Sequence, residues 1–416
     1  IRHIVYKMNL KFSLSISISL SLLFSYFNTE TIQGFGEKRN MEDPSSFSIG
    51  NSWYFSGQTN GVSIKSNSTH WRNRLSQVSS SFSIRNNKFE KYPGQSQQVL
   101  NYLHFQFPIG KKQSFAFSLS PSTRINYHFS DSGFVDENIV FNDLVINSNQ
   151  IYYGSGGITD MMLTYSTAIN NDFSIGISWN IGFGSFTKID TIEINNIISE
   201  SYDQYNFNNI FTDIYQTRST YNANSFNIGS LFSIPKIEVA SSITFDYNLK
   251  INQKKDYFSN NSSYTEFLST ITNSTESGFN IREFGAGLNY KLSKSSGIIF
   301  EIHKNGTRSI DENFLLFSNL KEETHSLHFG TYKWIPTNNY KILNTLILRG
   351  GAFVEKSNNF LDMGLTIGSG FEYFNNSSFI NMGCKFGMKK SKKFIVNNES
   401  YFEFIISFTS SDKWFK

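Results

Sequence analysis

The feature that most constrains this chain is a two-residue alternation sustained over long runs. Between Phe173 and Phe186 the odd positions Phe173, Ile175, Ile177, Trp179, Ile181 and Phe183 are apolar, while Ser174, Gly176, Ser178, Asn180, Gly182 and Gly184 are small or polar. Successive side chains of a strand point to opposite faces, so such a run has one greasy face and one polar face as a strand. The pattern recurs from Ile237 to Ile251, where Ile237, Val239, Ile243, Phe245, Tyr247, Leu249 and Ile251 oppose Glu238, Ala240, Ser242, Thr244, Asp246, Asn248 and Lys250. It recurs from Ser114 to Phe129, with Pro121 marking a kink or bulge.

Strands of soluble sandwiches alternate too, but usually over about five or six residues. These runs extend over about ten to fifteen, the reach of a tilted membrane strand plus an extension beyond the bilayer. Composition agrees: aromatics reach 16% while all hydrophobic residues total 39%, and the helix formers Ala, Leu and Glu are under-used. No window offers about eighteen uninterrupted apolar residues after the N-terminus, so no later segment crosses a bilayer as a helix. Short polar turns are expected at Gly110 to Gln113, Asn170 to Asp172, Pro235 to Lys236, Ser293 to Gly297, Pro336 to Asn339 and Asn375 to Ser378. Longer polar stretches at Asp131 to Gly156, Asp190 to Thr220 and Gln253 to Ser277 read as extracellular loops. Pairing turns with loops over residues 73–416 predicts an all-β fold, a transmembrane antiparallel up-and-down β-barrel of about 14 strands. Tyr127, Phe129, Tyr247, Tyr290, Trp334 and Tyr373 are candidates for its interfacial aromatic girdles.

At the N-terminus Lys7 and Lys11 flank Met8, the expected initiator, and Phe12 to Phe27 is an uncharged stretch of apolar residues and serine. Residues 1–30 therefore read as a signal peptide. The single cysteine, Cys384, excludes a disulfide framework and shares the lipid-facing parity of Ile380, Met382 and Phe386. A formal charge of +4, spread along the chain, gives no patch for nucleic acid. His104 and His128 fall on polar strand faces, but no Gly-x-Ser-x-Gly elbow accompanies them. His325 and His328, three apart, lie on opposite strand faces and cannot share a metal. No phosphate-binding loop is present either. The expectation is a non-enzymatic protein without cofactor, metal or nucleotide.

Near the C-terminus Phe402, Phe404, Ile406 and Phe408 alternate with Glu403, Ile405, Ser407 and Thr409, and Trp414, Phe415 and Lys416 follow. An aromatic near-terminal strand is what the barrel-assembly machinery is expected to read. Together with Tyr153-Gly154-Ser155-Gly156-Gly157-Ile158, Asn171-Asp172-Phe173-Ser174-Ile175-Gly176-Ile177, Phe379-Ile380-Asn381-Met382-Gly383, Glu399-Ser400-Tyr401-Phe402 and Asp412-Lys413-Trp414-Phe415, this tail resembles the FadL-type outer-membrane transporters of hydrophobic compounds, in particular the divergent FadL-like barrels of Bacteroidetes and related marine bacteria. The resemblance implies a 14-stranded barrel closed by an N-terminal hatch. It implies passive uptake of hydrophobic small molecules such as long-chain fatty acids. Residues 31–72 would be the hatch, with Asn67-Ser68-Thr69 standing where the family usually carries Asn-Pro-Ala. That departure leaves Asn67 only a loose hatch role.

If the greasy face meets lipid, the opposite parity lines the lumen, because a charge at mid-bilayer costs about 2–4 kcal/mol. Arg124, His128, Glu238, Asp246, Lys250, Lys291, Glu372, Lys385 and Glu403 share that parity. Mixed charges inside a barrel are expected to pair across strands more often than to touch substrate. The expected partners are outer-membrane lipid and a hydrophobic ligand, with the protein a monomer. The alternative is a barrel scaffold associated with secretion or surface attachment, whose lumen carries nothing. A continuous apolar path through the hatch would favour transport, and a plugged lumen with a large exposed apolar loop surface would favour the scaffold.

Overall fold

The computed structural model describes residues 37–38, 43–59, 61–62, 64–89, 95–131, 144–199, 211–261, 265–306, 323–336, 343–358, 360–373, 378–391 and 398–412; the side chains of 37–38, 58–59, 89, 95, 97, 125–131, 144–149, 194–199, 211, 260–261, 265–266, 276–279, 343–344, 373 and 391 are not among those described. The chain forms a closed 14-strand antiparallel β-barrel with one extra strand. In order, β1 is Glu37–Lys38, α1 is Pro44–Ser48, and two 3₁₀ turns follow at Ser56–Thr59 and Asn67–Arg72. The barrel is β2 (Ser76–Phe89), β3 (Gln95–Gly110), β4 (Gln113–Asp131), β5 (Leu144–Ala168), β6 (Phe173–Ser199), β7 (Phe211–Ser233), β8 (Ile237–Asn261), β9 (Thr265–Ser293), β10 (Ser296–Asn305), β11 (Thr324–Pro336), β12 (Leu343–Ser357), β13 (Phe360–Tyr373), β14 (Ser378–Ser391) and β15 (Asn398–Asp412). Each strand pairs with its sequence neighbours, and β15 closes on β2 from Glu399↔Phe89 to Asp412↔Ser76. Closure removes the sheet edge that hydrocarbon cannot solvate.

The dyad sets which face is inside. In β15 Tyr401, Glu403, Ile405, Ser407 and Thr409 are buried while Phe408 between them is exposed. In β6 Ile177, Trp179 and Phe183 are exposed, and Ser174 and Ser178 are buried. Cys384 is half-exposed, opposite the exposed Ile367. Trp334 departs from the expected girdle role and packs inward against the interior aromatic cluster.

The stretches read as long loops are largely strand. β5 to β9 run 23 to 29 residues, against 10 for β10. Their lower halves carry the apolar outer face; above Phe183, Phe226 and Tyr247 the regular apolar alternation breaks off, with polar outer positions such as Asn222, Thr220, Arg218 and Lys250. Outside the bilayer neither face is required to be apolar, so the extension has no dyad to be read, yet the ladder continues. The result is a tall wall on one side of the barrel.

One seam is incomplete. Among the described residues β3 and β4 pair from Leu103↔Leu119 down to Gly110↔Gln113. Above a register shift between Pro121 and Thr123, β4 continues with β5, and β1 lies against it at Lys38↔Thr123 and Glu37↔Arg124.

Candidate functional site

The residues from Asp43 to Asn73 run through the lumen. Phe47, Ile49, Tyr54, Phe55, Val62 and Ile64 are each at most 4% exposed, and burying a side chain of this size contributes roughly 1.5–3 kcal/mol. Asp43 caps α1 through the Ser45 N–H (3.0 Å) and accepts from Tyr102 Oη of β3 (2.7 Å). Burial pushes the Asp43 carboxyl above its ordinary range, against the pull of the hydrogen bonds from Ser45 and Tyr102. After α1 the chain turns at Gly50 (φ 75°) and Asn51 (φ 64°), a left-handed pair that glycine adopts without strain. The turn is pressed to the wall: a Cβ on Gly351 would meet Gly50 N, and one on Gly368 or Gly383 would meet the Ser48 hydroxyl. These wall glycines are the seat that lets the hatch backbone approach.

Polar groups of the wall then take up the hatch backbone. Thr366 accepts from Gly50 N–H (2.9 Å) and donates to the Ser48 carbonyl (3.0 Å). His328 Nδ1 donates to the Gly50 carbonyl (2.7 Å). Glu301, fully buried, accepts from Trp53 N–H (2.6 Å), Tyr54 N–H (3.0 Å), His303 Nε2 (3.0 Å) and the Ser52 hydroxyl. One carboxylate thus caps three successive hatch residues. The His303 ring lies 3.8 Å from that of Trp53, and Tyr54 Oη meets Ser242 Oγ at 2.7 Å. Further along, Asn67 Nδ2 donates to Asn227 Oδ1 (2.7 Å) and the Asn227 carbonyl (3.1 Å). Asn67 backs onto Gly176 and Gly229, and Ser174 Oγ donates to the Ser68 carbonyl (2.8 Å). The hatch ends at an ion cluster, where Glu238 Oε1 accepts from Arg72 (3.0 Å), Lys291 (2.9 Å) and Ser233 (3.0 Å).

The residues named from parity fall into three groups. Glu238 (1% exposed), Glu372, Lys385 and Glu403 are buried on the inner face, and Lys291 and Asp246 share that face. Charges pair across strands there: Lys291 with Glu238, Lys385 with Glu403 at 4.0 Å, and Asp246 with Arg282 at 3.6 Å. Arg124 and Lys250 are corrections. Register shifts between Pro121 and Thr123 in β4 and between Asp246 and Asn248 in β8 turn the parity by one residue. Buried Thr123 then opposes Ile158, and Leu249 and Ile251 turn inward, 4% and 1% exposed, leaving Lys250 exposed outside. His128 lies outside the described side chains, as residues 1–30 and Trp414 to Lys416 lie outside the described residues. Glu301, His303, His328 and Thr366 were missed; their inward parity was readable, but their partners in the hatch were not.

Toward the long-loop end the inner face of β13 to β15 and β2 carries a polar network of its own. Arg85 bridges to Glu399 (3.2 Å) and covers the Tyr401 ring, and Tyr401 Oη donates to Asp362 (2.9 Å). Toward the short-turn end a cavity of about 230 Å³ lies between hatch and wall, lined by Tyr54, Val62, Leu75 and Phe379 beside His70 and Arg72.

The closed antiparallel barrel of 14 strands is similar in fold to solved FadL-type channels. The toluene transporter TodX of Pseudomonas putida matches with a TM-score of 0.54 at 10% identity, over 92% of this chain and 100% of its own. The CymD monoaromatic hydrocarbon channel matches with 0.56 at 10% identity, over 89% and 97%. A FadL homologue of Pseudomonas aeruginosa matches with 0.53 at 8%, over 92% and 100%. The chain belongs to the BamG family, whose model matches residues 34–416. No curated protein matches it in sequence.

Proposed function

We propose that this protein is an outer-membrane barrel sealed by its own hatch, acting as a fixed scaffold in the membrane instead of an open conduit. The observation that carries the reading is the closure of the lumen: hatch side chains are almost fully buried and their backbone is hydrogen-bonded to the wall. Several interior charges pair with one another, Glu238 with Arg72 and Lys291 and Arg85 with Glu399. The tall β5 to β9 wall adds the second mark of a scaffold, since Phe267, Leu268 and Ile271 stand 54% to 69% exposed on the β9 extension. The BamG family match hints at a relation to barrel assembly, so the scaffold would serve other outer-membrane barrels.

The test has two arms. Purified protein in planar bilayers should be electrically silent, and a variant lacking residues 43–73 should conduct. Depleting the protein in cells should lower the levels of other outer-membrane barrels while uptake of radiolabelled toluene and oleate stays unchanged. Loss of that uptake with intact barrel levels would overturn the scaffold reading in favour of transport.

Passage of hydrophobic small molecules is the second reading, and two features favour it. The cavity beside Arg72 has the apolar side chains Val62, Leu75 and Phe379 among its polar lining, and among the described residues the seam between β3 and β4 is unpaired above Leu103, with β1 lying against β4 there. The names of the similar solved structures, a toluene transporter and a hydrocarbon channel, point the same way.

A further inference from the structure

On the short-strand side of the barrel the outward face ends in a row of basic residues. Lys304 of β10 stands opposite His325 of β11, His325 opposite Lys356 of β12, Lys356 opposite Leu361 of β13, and Leu361 opposite Lys390 of β14. Lys390 faces Asn398 of β15, and one pleat away Ser400 faces Lys88 of β2. All five basic residues are exposed. Each strand that supplies one from β10 to β14 carries, one pleat nearer the short turns, an exposed apolar residue: Ile302, Leu327, Val354 and Met388. The basic residues therefore mark the level at which the lipid-facing surface ends on the loop side.

Like charges directly opposite one another on a sheet repel, so this row needs a counter-charge. Glu323 supplies it at one end, 2.8 Å from both Lys304 and His325. Among the described residues no carboxylate lies within ion-pair distance of Lys356, Lys390 or Lys88. The row is not the by-product of a strongly basic chain, whose formal charge is only +4. On the same strands the carboxylates are turned inward, with Glu301, Glu399 and Glu403 at most 3% exposed. Arg85, Arg349 and Lys385 are buried on that inner face with them, so what sets the outer row apart among the described residues is the lack of carboxylates beyond Glu323.

We propose that Lys356, Lys390 and Lys88 bind the phosphate groups of outer-leaflet glycolipid. Adjacent strands lie about 4.8 Å apart, so the row from Lys304 to Lys390 spans roughly 19 Å across β10 to β14, wide enough to meet more than one phosphate of a large headgroup. Lysine stems reach along the apolar surface while the ammonium stays at the polar boundary, and ammonium-phosphate hydrogen bonds are charge-assisted. Bound glycolipid would form a collar on the short side of the barrel, opposite the tall wall. The inference rests on the outer-membrane placement.

The test is native mass spectrometry of the full protein in mild detergent with added rough-type lipopolysaccharide, the same glycolipid after phosphatase treatment, or phosphatidylglycerol. Wild type should retain the phosphorylated glycolipid. The K88E/K356E/K390E variant should lose it at least tenfold, as should the Gln triple variant, which avoids charge reversal if the first does not fold. K111E/K112E, at the opposite end of the barrel, should retain it like wild type. Equal retention by the triple variants, by dephosphorylated glycolipid or of phosphatidylglycerol would overturn the proposal. Cell fractionation tests the membrane placement separately: an outer-membrane protein that retains no glycolipid sinks only this inference.

Discussion

Replacing Glu301 by alanine tests the hatch lock at its most concentrated point. The carboxylate accepts from Ser52, Trp53 and Tyr54 of the hatch and from His303 of its own strand. Hydrogen bonds to a charged group contribute roughly 1.5–3 kcal/mol each, so the three hatch donors represent about 5–9 kcal/mol gross. Removing the carboxylate also relieves its desolvation, several kcal/mol for a buried ion. A net loss of about 3 kcal/mol remains, in line with the roughly 3–5 kcal/mol for removing one partner of a buried pair. At about 1.4 kcal/mol per tenfold, the population with a displaced hatch rises on the order of 100-fold. Planar-bilayer recording should then convert a silent protein into one with brief openings, and protease added from the short-turn side should cut the hatch faster. Glu301→Gln should fall between, since one side of the amide becomes a donor facing the Trp53 N–H. If E301A stays as silent and protease-resistant as wild type while the variant lacking residues 43–73 conducts, the carboxylate is not what holds the hatch, and the argument from its bonds fails.

Gly351→Val should unseat the hatch, because its side chain would meet Gly50 N and the Ile49 carbonyl carbon; overpacking of about 1–3 kcal/mol or more should appear as conductance, and a silent, fully heat-modifiable variant would contradict it. Glu238→Gln should loosen the hatch exit more than Arg72→Gln, since Glu238 also holds Lys291 and Ser233; comparing protease nicking near Arg72 decides it. In a Cys384→Ser background, cysteine at position 250 should react with an impermeant maleimide on whole cells and cysteine at 249 should not, because the β8 shift puts Leu249 inside. The reverse labelling would restore the unshifted parity. Heated and unheated samples should migrate differently on SDS-PAGE, and identical migration would count against a closed barrel.

The strand faces were legible because the bilayer enforces them. Ile177, Trp179 and Phe183 had to be outside and Ser174 and Ser178 inside, and the same rule placed Glu238, Lys385 and Glu403 on the inner face. The rule failed where the ladder slipped. Pro121 announced the β4 irregularity, yet the effect on Arg124 depended on which residue β5 left unpaired. In β8 nothing in Tyr247 or Asn248 marks the shift that exposes Lys250 and buries Ile251. The extended walls of β5 to β9 were illegible for a simpler reason: above the lipid no solvent difference exists to sort the two faces.

The sequence by itself determined an antiparallel barrel of about 14 strands, which face of most strands meets lipid, and the end at which short turns gather, because each follows from local alternation and from turn residues. Tertiary structure alone decided how the hatch is held. Gly351, Gly368 and Gly383 lie on β12, β13 and β14, Glu301 on β10 and Thr366 on β13, some 250 to 330 residues from the hatch groups they meet. An inward glycine or carboxylate has the same local pattern whether it faces water, another strand or a plug. Only closing the sheet into a cylinder around the N-terminal segment gives those positions a common partner.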